Sequence, residues 1–292
     1  MSDSKKNILN ETREEGLDKF YTNPEIVDMC INHIGTLYNW NNWALVIEPS
    51  AGSGNFFTKF PTNEKIAMDI LPEHEDVIKQ DFFTFFPVLL QSAISLNSQG
   101  ILTIGNPPFG RVSSLAVKFF NHASKFSDVI AFIIPKTFRR ISIQNKLNLN
   151  FHLISDIDLP VKPCCFEPAM NVKCCFQIWK KCENKREIKL LKTQHSDWDF
   201  LSFGPKDDKG QPTPPSGADF AIRAYGGKCG EIVVNNLEKL RPKSWHWIKS
   251  KINKNVLIDR FEKLDYSQCE NTSRQNSFGK GELVSLYALH DF

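Results

Sequence analysis

The apolar run Gly100-Ile101-Leu102-Thr103-Ile104-Gly105 passes straight into Asn106-Pro107-Pro108-Phe109. A short β-branched run before a turn signal reads as a buried strand. Proline fixes φ, so the two prolines stiffen the turn that ends it. Such a strand end is a compact device for holding a planar amine. The Asn106 side-chain oxygen can accept one N–H, the Pro107 carbonyl can accept the other, and the Phe109 ring can stack on a base. Taken alone, the four residues fit equally well as a turn that merely ends a strand.

Similar strand ends recur upstream. Leu45-Val46-Ile47 reads as a buried strand and runs into Glu48-Pro49-Ser50-Ala51-Gly52-Ser53-Gly54, after which Asn55 to Phe60 is expected to open a helix. Glycines after a strand let backbone approach a ligand closely, although no third glycine completes a dinucleotide fingerprint here. Lys65-Ile66-Ala67-Met68 ends in Asp69-Ile70. An acid about 20 positions after a glycine turn is placed to bond ribose hydroxyls in a doubly wound fold. Val77 to Gln80 leads to Asp81-Phe82-Phe83, where Asp81 can accept from an adenine amine with Phe82 against the ring. Ahead of them all, Tyr21-Thr22-Asn23-Pro24 precedes a helix-like run from Ile26 to Ile34. Thr22 or Asn23 can cap that helix and Pro24 fits its first turn. Glu48 and Asp69 also fit as ordinary caps.

The layout alternates. Residues 8–40 are expected to be helical, with strands near 44–48, 65–69 and 77–80 separated by short helices. The strand at 101–105 is followed by a helix capped by Ser113-Ser114 and running through Phe126. Val129 to Ile134 is a buried strand, and 151–159 and 172–179 are two more. This pattern predicts an α/β fold with a doubly wound, mostly parallel sheet.

The ordered series resembles the S-adenosylmethionine-dependent N6-adenine methyltransferases, a family of amino-methyltransferases. That family shows an aromatic-Thr-Pro motif, a glycine turn, a ribose acid, an adenine acid and an N/D-P-P-Y/F motif in that chain order. The match here covers roughly residues 20–180, and it departs from the pattern in one place, where Asn23 separates Thr22 from Pro24. The resemblance implies a class I (Rossmann-like) methyltransferase fold whose last two strands form an antiparallel hairpin. It implies S-adenosylmethionine contacts at Tyr21, Thr22, Glu48, Pro49, Ser50, Ala51, Gly52, Gly54, Asp69, Ile70, Asp81, Phe82 and Asn106. It implies catalysis at Asn106, Pro107, Pro108 and Phe109, on the N6 amine of adenine in DNA or RNA, with DNA favoured. Phe166 would stack on the extruded base, or would simply be core. Related sites on guanine N2 or a glutamine amide, and an inactive scaffold subunit, remain alternatives.

Composition agrees with a catalytic domain at 1–182 and a small appendage at 183–292. Residues 1–100 carry 7 Lys+Arg against 14 Asp+Glu, and residues 101–292 carry 29 against 19. The second half is thus basic, which suits a nucleic-acid partner. Between residues 223 and 263, 10 Lys+Arg outnumber 4 Asp+Glu and interleave with Tyr225, Trp245, Trp247 and Phe261. Arg223, Lys249, Lys251 and Lys254 are therefore candidate phosphate contacts, although each aromatic fits a core equally well. Residues 204–218 are expected to be a mobile loop from their Pro, Gly and Asp content. The eight cysteines include Cys164-Cys165 and Cys174-Cys175, a spacing wrong for zinc, so buried free thiols and no metal are expected. The polar start, Met1 to Asn7, lacks the apolar core of a signal peptide, and no run of 18 apolar residues exists. A cytoplasmic protein is expected, or a nuclear one in a eukaryotic host.

Overall fold

The computed structural model describes residues 20–87, 99–290 and 292. The chain forms two compact units, residues 1–188 and 189–292. In the first, β1 (Tyr21–Thr22) leads into α1 (Pro24–Leu37), then β2 (Leu45–Pro49), β3 (Lys65–Asp69), β4 (Ile78–Lys79) and β5 (Ile101–Gly105). There follow α2 (Ser114–Ala123), β6 (Val129–Pro135), α3 (Ile141–Gln144), β7 (Phe151–Asp158), β8 (Phe166–Glu167) and β9 (Cys174–Lys181). The main sheet has seven strands in the order β4-β3-β2-β5-β6-β9-β7. Strands β2 to β6 pair in parallel, and β9 runs antiparallel to both β6 and β7. This is the expected Rossmann-like α/β fold, with its antiparallel hairpin at one edge.

The sheet is buried on both faces because successive side chains alternate. Val129, Ala131 and Ile133 join one core with Val46, Leu102 and Ile104, whereas Ile130, Phe132 and Ile134 join the other with Ile47 and Ile101. α1 covers the first face through Ile26, Val27, Cys30, Ile31 and Ile34, a helical stripe. α2 covers the second through Ala116, Phe119, Phe120 and Ala123. The strand order reverses between β2 and β5, and at such a switch point the carboxyl ends of the strands diverge to leave a crevice.

Some local expectations change. The helix expected over 8–40 is Pro24–Leu37 in the structure, and the part before residue 20 lies outside the described residues. The glycine turn opens only a 3-10 turn, Phe57–Lys59. Asn23 occupies the N-cap position of α1 but its side chain does not cap; it donates to the Cys164 carbonyl at 2.7 Å. Ser113 does not cap α2 either, because its left-handed backbone turns the side chain away and Oγ pairs with Thr137 Oγ1 at 2.7 Å.

The second unit is an antiparallel sheet of β10 (Trp198–Phe200), β11 (Phe220–Arg223), β12 (Ile232–Val233) and β13 (Trp245–Ser250), in the order β10-β13-β11-β12. Helices α4 (Lys254–Glu262) and α5 (Lys280–Tyr287) bring Leu257, Phe261, Leu283 and Tyr287 into one core with Trp198, Phe220, Ile222 and Ile248. The opposite face buries Ala221, Trp245 and Trp247. Residues 204–218, expected to be mobile, carry hydrogen bonds within the loop. Gly204 N–H donates to the Thr213 carbonyl at 2.9 Å, Lys206 bridges Pro212, and Asp207 Oδ1 accepts from the Lys209 and Gln211 amides. Asp207 supplies the turn-forming acceptor that composition alone does not locate.

Candidate functional site

A cavity of about 580 Å³ opens at the carboxyl ends of β2, β3 and β5, and it gathers almost all of the strand-end residues singled out above. Tyr21, Thr22, Glu48, Ser50, Ala51 and Gly52 line it, as do Asp69, Ile70, Asp81, Phe82 and Asn106 to Phe109. Pro49 and Gly54 belong to the same turn without lining it.

The glycine turn is held in an unusual conformation. Ser50, Gly52 and Gly54 have φ of 60°, 52° and 75°. A Cβ at Gly52 would stand 3.1 Å from Tyr21 Cε1, so the Tyr21 ring lies directly on the turn. Asp69 pins it from below, accepting from Gly52 N–H and Leu71 N–H at 2.8 Å each. A carboxylate has about four acceptor sites, so both oxygens keep capacity for a further donor. The Tyr21 hydroxyl donates to Glu73 Oε1 at 2.5 Å. Burial and that neighbouring carboxylate push the phenol well above its ordinary pKa.

Glu48 is buried, and its Oε2 accepts from Phe57 N–H at 2.7 Å, which fastens the 3-10 turn to the end of β2. Burial raises its carboxyl well above the usual range, the Asp69 charge adds to the rise, and the bond from Phe57 opposes it. Asp81 caps the next turn, with Oδ1 accepting from Phe83 N–H at 2.9 Å. Phe82 lines the cavity but is largely buried. Its side chain stacks on Phe119 at 5.2 Å and takes His122 edge-on at 4.9 Å, inside the second core. Phe83, 40 % exposed and also lining the cavity, is the ring the sequence reading missed. The Phe-Phe pair after Asp81 was its only signal.

The end of β5 carries the informative geometry. Asn106 Nδ2 donates to the Phe20 carbonyl at 3.4 Å, while Oδ1 is buried and accepts no hydrogen bond. A buried acceptor without a partner costs about 1–3 kcal/mol, so such an atom needs a reason. Pro107 beside it is buried. Phe109 is half-buried, its carbonyl accepts from the Leu115 and Ala116 amides, and its ring meets Phe166 edge to face at 6.2 Å. Gly110 then turns with φ of 66°, where a Cβ would lie 2.7 Å from Leu115 Cβ.

Phe166 sits as the core alternative expects: it is buried in the first core, its backbone pairs with Thr22 across β1 and β8, and its ring lies against Phe109. Met170, from the same loop, reaches the cavity instead. Asn55 was also missed. It lines the cavity and its Nδ2 donates to the Thr22 carbonyl at 2.8 Å.

Three of the four candidate phosphate contacts of the second unit are paired with carboxylates. Arg223 pairs with Glu231 at 2.7 Å and lies 4.7 Å from the Trp245 ring. Lys249 pairs with Asp219 at 2.9 Å and Lys251 with Asp199 at 2.6 Å. Lys249 lies opposite Asp199 in the β10–β13 register and Asp219 just precedes β11, so acids flank this end of β13. Lys254, at the start of α4, is exposed. Trp245, Trp247 and Phe261 are core, and only Tyr225 of the interleaved aromatics is well exposed, at 48 %.

All eight cysteines are free thiols, and burial pushes Cys165 up to about 11. Among the described residues no group of three His, Cys, Asp or Glu side chains could hold a metal ion, and no helix is long and apolar enough to cross a membrane.

No family model and no curated protein matches the chain. Among solved structures it is similar to a candidate RNA methyltransferase from Pyrococcus horikoshii, at 17 % identity and a TM-score of 0.42, over 58 % of this chain and 88 % of that one. It is also similar to the magnesium protoporphyrin IX methyltransferase of Synechocystis, determined with bound S-adenosylmethionine, at 9 % identity and a TM-score of 0.37, over 54 % of this chain and 79 % of that one. Both likenesses are distant, and the fold is read from the strand order itself.

Proposed function

We propose that this protein is an S-adenosylmethionine-dependent methyltransferase acting on the exocyclic N6 amine of adenine in nucleic acid, with DNA favoured over RNA. The observation that carries the reading is the buried, unpartnered Oδ1 of Asn106 at the mouth of the glycine-turn cavity. An acceptor left open in a buried site is matched by a ligand that brings an N–H.

The residues present suit the donor. Gly52 brings its backbone to the cavity wall, Asp69 retains acceptor capacity for ribose hydroxyls, and Asp81 Oδ2 is open to an adenine amine beside Phe83. Bound there, S-adenosylmethionine supplies a methyl group already activated by its sulfonium centre. Tyr21 lies over the turn and Thr22 lines the cavity beside it.

The chain's own task is to make a poor nucleophile better. An adenine amine is weakly nucleophilic because its lone pair is delocalised into the ring. Asn106 Oδ1 and the Pro107 carbonyl each accept one amine N–H, which favours a pyramidal nitrogen and supports the positive charge that develops on it. Phe109, held by Phe166, offers a face for the base. In a duplex the base must first leave the stack, which costs a few kcal/mol.

Nucleoside mass spectrometry after incubation with DNA and RNA pools tests the reading. N6-methyladenine is the expected product. A guanine-only oligonucleotide and a glutamine-bearing peptide serve as controls, and methylation of either of them in place of adenine would overturn the substrate assignment.

A further inference from the structure

Asn23 is the one residue that the family pattern does not account for, and the structure gives it a place. Residues 20–23 form a short strap across the front of the cavity. On one side Asn55 Nδ2 donates to the Thr22 carbonyl at 2.8 Å and Tyr21 lies on Gly52. On the other, β1 pairs with β8, Asn23 N–H donates to the Cys165 carbonyl at 2.9 Å, and Asn23 Nδ2 donates to the Cys164 carbonyl at 2.7 Å. At the front end of the strap, the Phe20 carbonyl accepts from Asn106 Nδ2 at 3.4 Å.

That last bond decides which way round the Asn106 amide sits. With Nδ2 turned to Phe20, Oδ1 is the atom left without a partner. Were the amide flipped, Oδ1 would face the Phe20 carbonyl, acceptor against acceptor, and Nδ2 would meet the incoming amine, donor against donor. Only the first arrangement can accept an amine N–H. The position of the Phe20 carbonyl therefore matters to the reaction, and it is set by the anchors of the strap.

We propose that Asn23 is a positioning residue that fixes the polarity of the Asn106 amide by fastening residues 20–22 to the loop at Cys164-Cys165. The proposal rests on the amine-accepting role of Asn106 given above. It does not depend on which planar amine is methylated.

A double-mutant cycle tests this. Asn23→Ala removes the side-chain anchor and should lower kcat by about tenfold, while affinity for S-adenosylhomocysteine by calorimetry stays within about threefold. Asn106→Asp replaces the amide with a carboxylate that presents an acceptor oxygen either way round. It should retain some transfer, and in that background Asn23→Ala should cost nothing further, or should help by easing the carboxylate away from the Phe20 carbonyl. A merely structural Asn23 would give the same loss in both backgrounds, and that result overturns the proposal. Asn55→Ala, read at saturating donor, loosens the strap from its other side and should show the same dependence on background. It carries the test if Asn23→Ala does not fold. Product analysis of the wild type tests the substrate reading by itself, and the cycle runs on whichever amine the wild type methylates. A wild type that transfers to no amine overturns both readings.

Discussion

Asn106 and Lys249 were both chosen from the sequence for the chemistry of their side chains, and the two units treat them in opposite ways. In the first unit the polar atom of interest is buried and left without a partner. In the second the cation of interest is matched by Asp219, the residue just before β11. A chain can satisfy its own polar groups when nothing else needs them. An acceptor kept open at some cost in stability points to a ligand, and a cation already neutralised points to packing and solubility. The contrast moves the weight of the functional reading onto the first unit.

The sharpest way to break this contrast is Asn106→Ala. Transfer should fall by about 10²–10³-fold in kcat, on the scale of a lost transition-state hydrogen bond, with donor affinity nearly unchanged by calorimetry. Activity within a few-fold of wild type would mean that the open acceptor is incidental.

Asp69→Ala should come next in size. It removes the acceptor for Gly52 and Leu71 as well as the candidate ribose contact, so donor affinity should drop by roughly tenfold or more and the melting temperature should fall. Unaltered affinity in a folded variant would leave Asp69 as a brace for the turn and nothing more.

A smaller effect concerns Glu48. Burial raises its folded pKa above the unfolded value, so its contribution to stability is present below about pH 4.5 and is lost as pH rises through the folded pKa. Asp158, Asp197 and Asp219 are shifted down by their partners and act in the opposite sense. Glu48→Gln should therefore remove a decline in stability above pH 4.5, visible as a difference between the two melting-temperature profiles. Parallel profiles would show that Glu48 ionises in the folded state as freely as in the unfolded chain.

The smallest expected effect is in the second unit. Replacing Lys249 and Lys251 with Ala should leave the salt dependence of nucleic-acid binding almost unchanged, because each lysine is already paired with an aspartate. A fall of about 2 in the log–log slope would show that both exchange their aspartates for phosphates, and the contrast would collapse.

The strands and their carboxyl ends were legible because β-branched runs such as Val129 to Ile134 stop at identifiable turn residues. What escaped is what depends on register between distant segments. Nothing local in Arg223, Lys249 or Lys251 announces Glu231, Asp219 or Asp199 as partners. Nothing in Thr22-Asn23 announces Cys164 and Cys165. Phe82 and Phe83 are equivalent as letters, and only burial, 3 % against 40 % exposed, separates the core ring from the more open one. The 3-10 turn at Phe57–Lys59 replaces a helix because Glu48, from the preceding strand, bonds the Phe57 amide.

The place of β9 between β6 and β7 has a consequence for how the protein is made. As the chain leaves the ribosome, β7 emerges before the strand on which it pairs, and β6 waits with one edge uncovered. Both are apolar enough at their inner ends to attract the wrong neighbour during that interval. Some twenty residues later β9 must thread into the gap and satisfy two edges at once. Completion of the first unit is therefore a late, concerted event, and a nascent chain that has exposed β7 but not yet β9 should be the species most in need of a chaperone.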